Sequence, residues 1–323
     1  MIYVAIEGRM GNQMFSYAFA RYLQIKGDRR DAIVFDLSDF ERQKEAGKVL
    51  DESWRNYMTE FVCGDWVIEG ERKLGFVQRV LLSLHYRGGV ILNAQWGWPL
   101  RIYEKKFAGF MSWAGIYKYT FGYFPYQKVA RTKNLYLCGF FESPRYFAEI
   151  DNVLRKDFSL KTPLSGVKKR LYDMLRDINS VCINVRRGDF FENGQSENCG
   201  VCDADYYERA ARLLQEKRED AVFYIFSDDE EWCRQNVHIE GDVKIIKCSD
   251  YGLSPQEQLW IMTACRDFII ANSTFSWWAQ HLACREGKMV VAPDHWRNID
   301  ADLQTDIYEE SWITIPAVEE CVK

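Results

Sequence analysis

Short apolar runs alternate with amphipathic stretches along the second half of the chain. Val181–Val185, Val222–Phe226, Val243–Ile246, Phe268–Ala271 and Met289–Ala292 are rich in β-branched and aromatic residues and predict buried strands. Between them, Ala204–Lys217, Glu230–Gln235, Pro255–Ala264 and Phe275–Arg285 carry helical spacing. Strand and helix alternate four times, which predicts an α/β fold with a parallel sheet and crossover helices. The chain also opens with a strand, Ile2–Ile6, broken by Gly8-Arg9-Met10-Gly11-Asn12. A helix follows from Gln13 to Gln24, with Met14, Tyr17, Ala18 and Tyr22 on its apolar side and Gly27 at its end. Such a loop aims backbone N–H groups beyond the strand's carboxyl end. Leu135–Phe140 predicts one more strand, and Ser143-Pro144 starts a helix with serine at the cap and proline in the first turn. Lys161–Gly166 is the best linker, which gives domains of 1–160 and 161–323.

From Trp54 to Lys133 the pattern is obscured by aromatics: Trp66, Trp96, Trp98, Trp113, Tyr117, Tyr119, Phe121, Tyr123 and Phe124. Two readings stand, core packing and a surface on which sugar rings stack; large aromatics are more often buried.

Composition narrows the function. With 42 Lys and Arg against 47 Asp and Glu, the net charge is −5, which argues against a nucleic-acid partner while leaving room for one basic pocket. No apolar run approaches the ~18 residues of a transmembrane segment. Ile2–Ile6 is too short for a signal-peptide core, and Glu7 and Arg9 follow at once, so a cytoplasmic chain with reduced thiols is expected. Cys199-Gly200-Val201-Cys202 is a lone CxxC with no second pair and no histidine at zinc spacing. Asp203-Ala204-Asp205 and Asp300-Ala301-Asp302 match the DxD pattern that can hold a metal; the first starts a helix, where capping is the simpler reading. His85, His238, His281 and His295 form no metal-binding pair, and neither a Walker A sequence nor a dinucleotide fingerprint is present. No metal is therefore expected.

Three strand ends carry candidate chemistry. Arg186 and Arg187, before Gly188 and Asp189, stand where open α/β sheets bind ligands, and guanidinium suits phosphate by its fork and permanent charge. A structural Arg–Asp pair is the plainer alternative. Asp228, after Phe226-Ser227, accepts from a purine or ribose, or else caps the next helix. Asn272-Ser273-Thr274-Phe275-Ser276 opens a helix and offers hydroxyls and free N–H groups to an anion, above a packed Trp277–Trp278 pair.

With these residues in view, the sequence resembles the α-1,2-fucosyltransferases of glycosyltransferase family eleven. The resemblance rests, in order, on Gly8-Arg9-Met10-Gly11-Asn12-Gln13-Met14-Phe15, Tyr136 to Phe147, Val185 to Asp189, Gly200 through Tyr207, Phe226 to Asp229, and Ser273 to Trp278. It implies a GT-B architecture, two Rossmann-like domains facing across a cleft, the first on the acceptor side and the second binding the sugar nucleotide. It also implies inverting transfer of fucose from GDP-fucose to the 2-hydroxyl of a β-galactose unit, without metal, by a bacterial enzyme peripheral to the inner membrane. Arg186 would hold the β-phosphate, with Asn184 and Arg187 in the same HxRRxD motif and Asp189 as nominee for the base. Asp228 would read guanine. Ser273, Thr274 and Ser276 would meet the diphosphate, and Gly11, Asn12 and Gln13 would approach from the other domain. Asn184 departs from the family's histidine and does not titrate near neutrality. That departure keeps open a degenerate nucleotide-sugar-binding protein, beside a transferase of another GDP-sugar; the missing fingerprint disfavours an NAD-dependent oxidoreductase.

Overall fold

The computed structural model describes residues 1–45, 55–96, 100–119, 122–125, 129–188, 202–297 and 306–318. The chain divides into two compact units, Met1–Lys161 with Thr305–Ile307, and Thr162–Gln304 with Tyr308–Lys323.

The first unit is built on a parallel sheet of β1 (Ile2–Ala5), β2 (Ile33–Asp36), β3 (Val67–Glu69), β4 (Ile116–Tyr119) and β5 (Leu135–Gly139), in the order β3-β2-β1-β5-β4. β1 lies in the middle, with Ile2 beside Ile33 on one flank and Leu135 on the other. All four of its residues are buried, as expected of a strand covered on both faces. Helix α1 (Met10–Lys26) starts earlier and ends later than its spacing predicts, with Gly27 at its C-cap. α2 (Ser38–Glu45) follows β2. The aromatic-rich stretch folds mainly as α3 (Phe76–Trp96) and α4 (Leu100–Trp113), leading into β4. Part of its aromatic content is core: Tyr119 stacks on Phe124 at 4.7 Å and lies 6.2 Å from Tyr146, itself 4.5 Å from Phe19 of α1. Trp113 is instead 73% exposed. Trp98 and Phe121 lie outside the described residues, and so does the side chain of Trp96. Ser143 does cap, accepting from the Arg145 N–H at 3.3 Å, but what it caps is a single 3-10 turn, Pro144–Tyr146. The next helix, α5, spans Asp151–Asp157.

The second unit holds β6 (Ser180–Val185), β7 (Val222–Ser227), β8 (Val243–Ile246), β9 (Asp267–Ile269), β10 (Val290–Pro293) and β11 (Ile313–Ile315), every adjacent pair parallel. Their order is β11-β10-β9-β6-β7-β8. Read from the other edge, this is the 3-2-1-4-5-6 order of doubly wound nucleotide-binding sheets. α6 (Gly166–Asp177) leads into β6, and α7 (Ala204–Gln215), α8 (Glu230–Asn236), α9 (Cys248–Tyr251), α10 (Pro255–Met262) and α11 (Thr274–Leu282) lie along the later connections. α10 begins with a full capping box, Ser254 and Glu257, and Lys168 of α6 reaches the same carboxylate at 2.7 Å. Both units are therefore α/β and Rossmann-like. Among the described residues no helix is long and apolar enough to cross a membrane.

Candidate functional site

In a doubly wound sheet the chain leaves the central strands in opposite directions, and a crevice opens beyond their carboxyl ends at that switch point. Here the switch lies between β6 and β9. β6 delivers Asn184, Arg186 and Arg187 to it, and β9 runs on through Ala271 and Asn272 into α11. β7 flanks β6 with Asn184 beside Phe226 and Val185 beside Ser227. The residues that follow both strands, Arg186 and Asp228, consequently emerge side by side.

They are paired. Nη1 of Arg186 lies 3.0 Å from Oδ2 of Asp228, with the two side chains 23% and 24% exposed. Oδ1 of the same carboxylate accepts from the backbone N–H of Arg187 at 2.9 Å. Asp228 thus fixes both the guanidinium and the turn that carries it, and each arginine has a separate anchor. The guanidinium of Arg187 sits 3.8 Å above the ring of Trp232 in α8. Asp229 performs the capping: it accepts from the Trp232 N–H at 3.1 Å and is itself held by Ser227. Capping thus falls to Asp229, and Asp228 makes the Arg–Asp pair that was the plainer alternative for this motif. Trp232 was not among the expected site residues; an aromatic in the first turn after Ser227-Asp228 is the signal that could have found it.

Beneath the turn the side chains are buried. Asn184 is 5% exposed; its Nδ2 donates to the Phe226 carbonyl at 3.4 Å, and its Oδ1 is buried with no hydrogen-bond partner among the described residues. The fully buried Tyr207 has its phenol raised well above the ordinary value, chiefly by burial, while the nearby Arg186 backbone N–H pulls the other way. Burial likewise pushes the Cys202 thiol up to about 12 and that of Cys233 to about 11, so both stay protonated at neutral pH.

On the other side of the switch point stands the start of α11. Ser273 is extended at the N-cap position and its hydroxyl does not cap the helix. The first-turn amides of any helix lack intrahelical partners and carry the positive end of its dipole; Thr274 at this start is half-buried. Ser276 departs from the expectation of a hydroxyl presented to a ligand. It is fully buried, with Oγ 2.9 Å from the Ser273 carbonyl and 3.2 Å from that of Ala271. One turn of helix carries it from the mouth into the core. Trp277 and Trp278 do pack below, and Trp277 stacks on His281 at 4.4 Å.

The first unit has an equivalent place, beyond β1, and its residues behave differently. Gln13 is fully buried. Its Nε2 donates to the carbonyls of Gly8 at 3.2 Å and Arg55 at 2.8 Å, and its Oε1 accepts from the Tyr57 N–H at 3.0 Å. Both amide hydrogens and one oxygen lone pair are turned to holding the loop, so the expectation of a ligand-facing Gln13 is corrected. Asn12 folds over Gly8, whose φ is +73° and where a Cβ would come within 2.4 Å of the Asn12 amide nitrogen. Gly11 is buried in the first turn of α1. Across the sheet, beyond β5, Phe141 is held at φ +52° while 1% exposed, an unusual conformation for a bulky residue.

Asp189, Cys199 and the Asp300–Asp302 pair lie outside the described residues. Asp203 caps α7, accepting from the Tyr206 N–H at 2.6 Å. Among the described residues no three His, Cys, Asp or Glu side chains converge as metal ligands.

The chain matches the family model described as glycosyl transferase family 11 over residues 108–316. It is similar to an alpha-1,2-colitosyltransferase of Escherichia coli, 34% identical over 184 residues that cover 55% of this chain and 61% of that one. It is also similar to the Escherichia coli O-antigen biosynthesis glycosyltransferase WbnK, 27% identical across 97% of this chain and 100% of the relative. A galactoside alpha-(1,2)-fucosyltransferase 1 of Rattus norvegicus is 29% identical over 158 residues, 46% of this chain and 42% of that one. The chain spans less than two thirds of the colitosyltransferase and of the rat protein.

Proposed function

We propose that this chain, which belongs to glycosyl transferase family 11, transfers fucose from GDP-fucose to the 2-hydroxyl of a β-galactose unit, with inversion. The observation that carries the reading is the guanidinium of Arg186, held at 3.0 Å by Asp228 beyond the central strand of the second unit. The acceptor oxygen attacks the anomeric carbon as the bond from that carbon to the β-phosphate oxygen breaks. Negative charge grows on GDP, where Arg186 and the first turn of α11 stabilise it without a metal. The hydroxyl proton passes to a base, for which Asp189 remains the nominee. In this reading Asn184 and Arg187 support the phosphate-binding turn, Ser273 and Thr274 face the diphosphate, and Gly11 and Asn12 belong to the acceptor-side unit. Asp228 is a positioning residue for Arg186.

A second reading is a transferase of another GDP-sugar. It is favoured by the similarity to a colitosyltransferase, at 34% identity. The chain is incubated with each GDP-sugar and a β-galactoside, with excess chelator present, and GDP release and product linkage are read. GDP release with an α-1,2-fucosyl product supports the proposal. Turnover of a different GDP-sugar supports the second reading. Activity restored only by Mg or Mn ions removes the metal-free mechanism, and GDP binding without any turnover returns the degenerate alternative.

A further inference from the structure

Helices α3 and α4 form a pair. His85 of α3 lies 4.7 Å from the Tyr103 ring of α4, which lies 4.7 Å from Phe107. Both helices bury against one face of the first unit's sheet: Leu81 and Leu82 from α3 and Met111 from α4 join Tyr3, Val34, Ile116 and Tyr136 in a single apolar cluster. Their outer faces therefore look the same way, away from the sheet.

Those outer faces are not polar. Phe76 is 74% exposed, Val77 60%, Val80 40% and Leu84 59%, a stripe at i, i+1, i+4 and i+8 on α3. On α4, Phe110 is 54% and Trp113 73% exposed, with their rings stacked at 6.3 Å. An apolar surface of this kind on an otherwise folded chain marks an interaction site.

The charges beside the stripe select the partner. α3 contains no Asp or Glu, and the single acid of α4, Glu104, is fully buried and paired with Lys118 at 3.5 Å. Arg79, Arg87 and Lys105 are exposed, and none has an ionic partner among the described residues. At the foot of α3 a recess of about 580 Å³ is lined by Arg72, Lys73, Arg79 and Lys118 beside Tyr86 and Tyr136. The nearest exposed carboxylates along the chain, Glu69 and Glu71, precede the helices. A second copy of the same face would set cation against cation, which disfavours self-pairing. Arg72 and Lys118 in that recess already pair with Asp36 and Glu104, whereas aromatic and aliphatic side chains beside the exposed Arg79, Arg87 and Lys105, with no exposed acid on either helix among the described residues, suit the boundary of an anionic bilayer.

We infer that the α3–α4 pair is a docking surface for an anionic lipid membrane, on which the first unit lies without spanning it. The recess would receive a phosphate-bearing headgroup. The inference is independent of the donor assignment, since vesicle binding and melting temperature are read without a sugar nucleotide.

The whole chain is floated with vesicles of phosphatidylcholine, alone or mixed with phosphatidylglycerol. The expected result is binding to the mixed vesicles at least about tenfold tighter than to neutral ones, and weakened in about 1 M salt, where the screening length falls to about 3 Å. Arg79→Glu, Arg87→Glu and Lys105→Glu together should lower binding about a hundredfold. Phe76→Ser with Trp113→Ser should lower it on both vesicle types. Melting temperature should stay at its original value in both variants. The inference is overturned if the original chain binds neither vesicle, if the charge-reversed variant binds as well as the original, or if sedimentation shows a dimer that the Phe76 and Trp113 changes dissociate.

Discussion

In each unit a loop leaves the carboxyl end of the central strand, and the two loops are furnished in opposite ways. In the second unit a charged side chain is held out: Arg186 stays 23% exposed, aimed by Asp228, while Arg187 leans on Trp232. In the first unit the polar residues turn inward, and Gln13 is consumed by three backbone groups. Both sites follow a strand and precede a helix or turn, so position in the fold alone does not separate them. What separates them is exposure: the Arg186 side chain stays partly exposed, while Gln13 is fully buried. A glycine loop held by its own glutamine is a scaffold; an arginine held by an aspartate and still partly exposed presents a permanent positive charge suited to phosphate.

The largest expected effect tests that contrast directly. Arg186→Ala should cost about 2.7–4 kcal/mol of transition-state stabilisation, by analogy with loss of one preorganised donor. At 1.36 kcal/mol per decade this is about 100- to 1,000-fold in kcat/KM. Arg186→Lys should restore only part, because ammonium keeps the charge but not the fork. Asp228→Asn removes a charge-assisted contact of about 1.5–3 kcal/mol. As a positioning change it should lower kcat for GDP-fucose more than it raises KM. If it instead relaxes discrimination between guanine and other bases, Asp228 reads the nucleotide, as the resemblance implies. Normal turnover by folded Arg186→Ala would remove the phosphate role.

Gln13→Leu, measured by urea unfolding, should show the reverse profile. The change preserves approximate volume and leaves the buried Tyr57 N–H without its acceptor. Together with the carbonyls of Gly8 and Arg55, this should cost about 3 kcal/mol of stability. The donor KM of the folded fraction should be unchanged. A raised KM with unaltered stability would return Gln13 to the ligand and erase the contrast between the two units.

The same two units differ in how much of them can be read from residues alone. In the second, five runs of apolar residues flanked by amphipathic stretches match β6 to β10 within one or two residues at each end. Four of those strands are buried along nearly their whole length, so burial and sequence pattern coincide there; β8, at the edge, is only partly buried. β11 has three residues and an outward-facing middle one, too short and too mixed to stand out. In the first unit, α3 and α4 carry apolar side chains on their outer faces as well as their inner ones, with Phe76, Leu84 and Trp113 exposed. That surface erases the helical periodicity which would have announced both helices. At the site, Arg186 was legible as a strand-end arginine. Its partner was not, because pairing with Asp228 depends on the register of β6 against β7, a fact of two strands rather than one. Ser276 was misjudged for a related reason: a hydroxyl one turn inside a helix points wherever the helix is rotated, and here it points at the core.

The smallest expected effect separates the units by pH. His85 is 5% exposed between α3 and α4, 4.7 Å from Tyr103 and facing Phe107. Burial, aided by the positive charge of Lys118, pushes its pKa down to about 4. In an unfolded chain a histidine titrates near about 6.5. As pH falls from about 6.5 toward 4, the unfolded chain takes up a proton that the folded chain refuses. The stabilisation is fully present above the unfolded value and is lost progressively across that window. At about pH 5 the loss reaches roughly 2 kcal/mol, taking 1.36 kcal/mol per pH unit. In the second unit, Glu257 has the opposite chemistry. Burial works to raise its pKa, but hydrogen bonds from Lys168 and Ser254 outweigh it and hold it below the ordinary 4.5. Its contribution is present above that value and disappears only as pH falls through the lowered one. Between about pH 6.5 and 4.5 the loss should therefore fall on the first unit. Urea unfolding at neutral pH and at about pH 5 should show a drop in midpoint for the original chain, and a smaller drop for His85→Phe, which keeps an aromatic ring but cannot take a proton. If His85→Phe loses as much stability on acidification as the original chain, the histidine is not the group responsible, and acid sensitivity does not distinguish the two units.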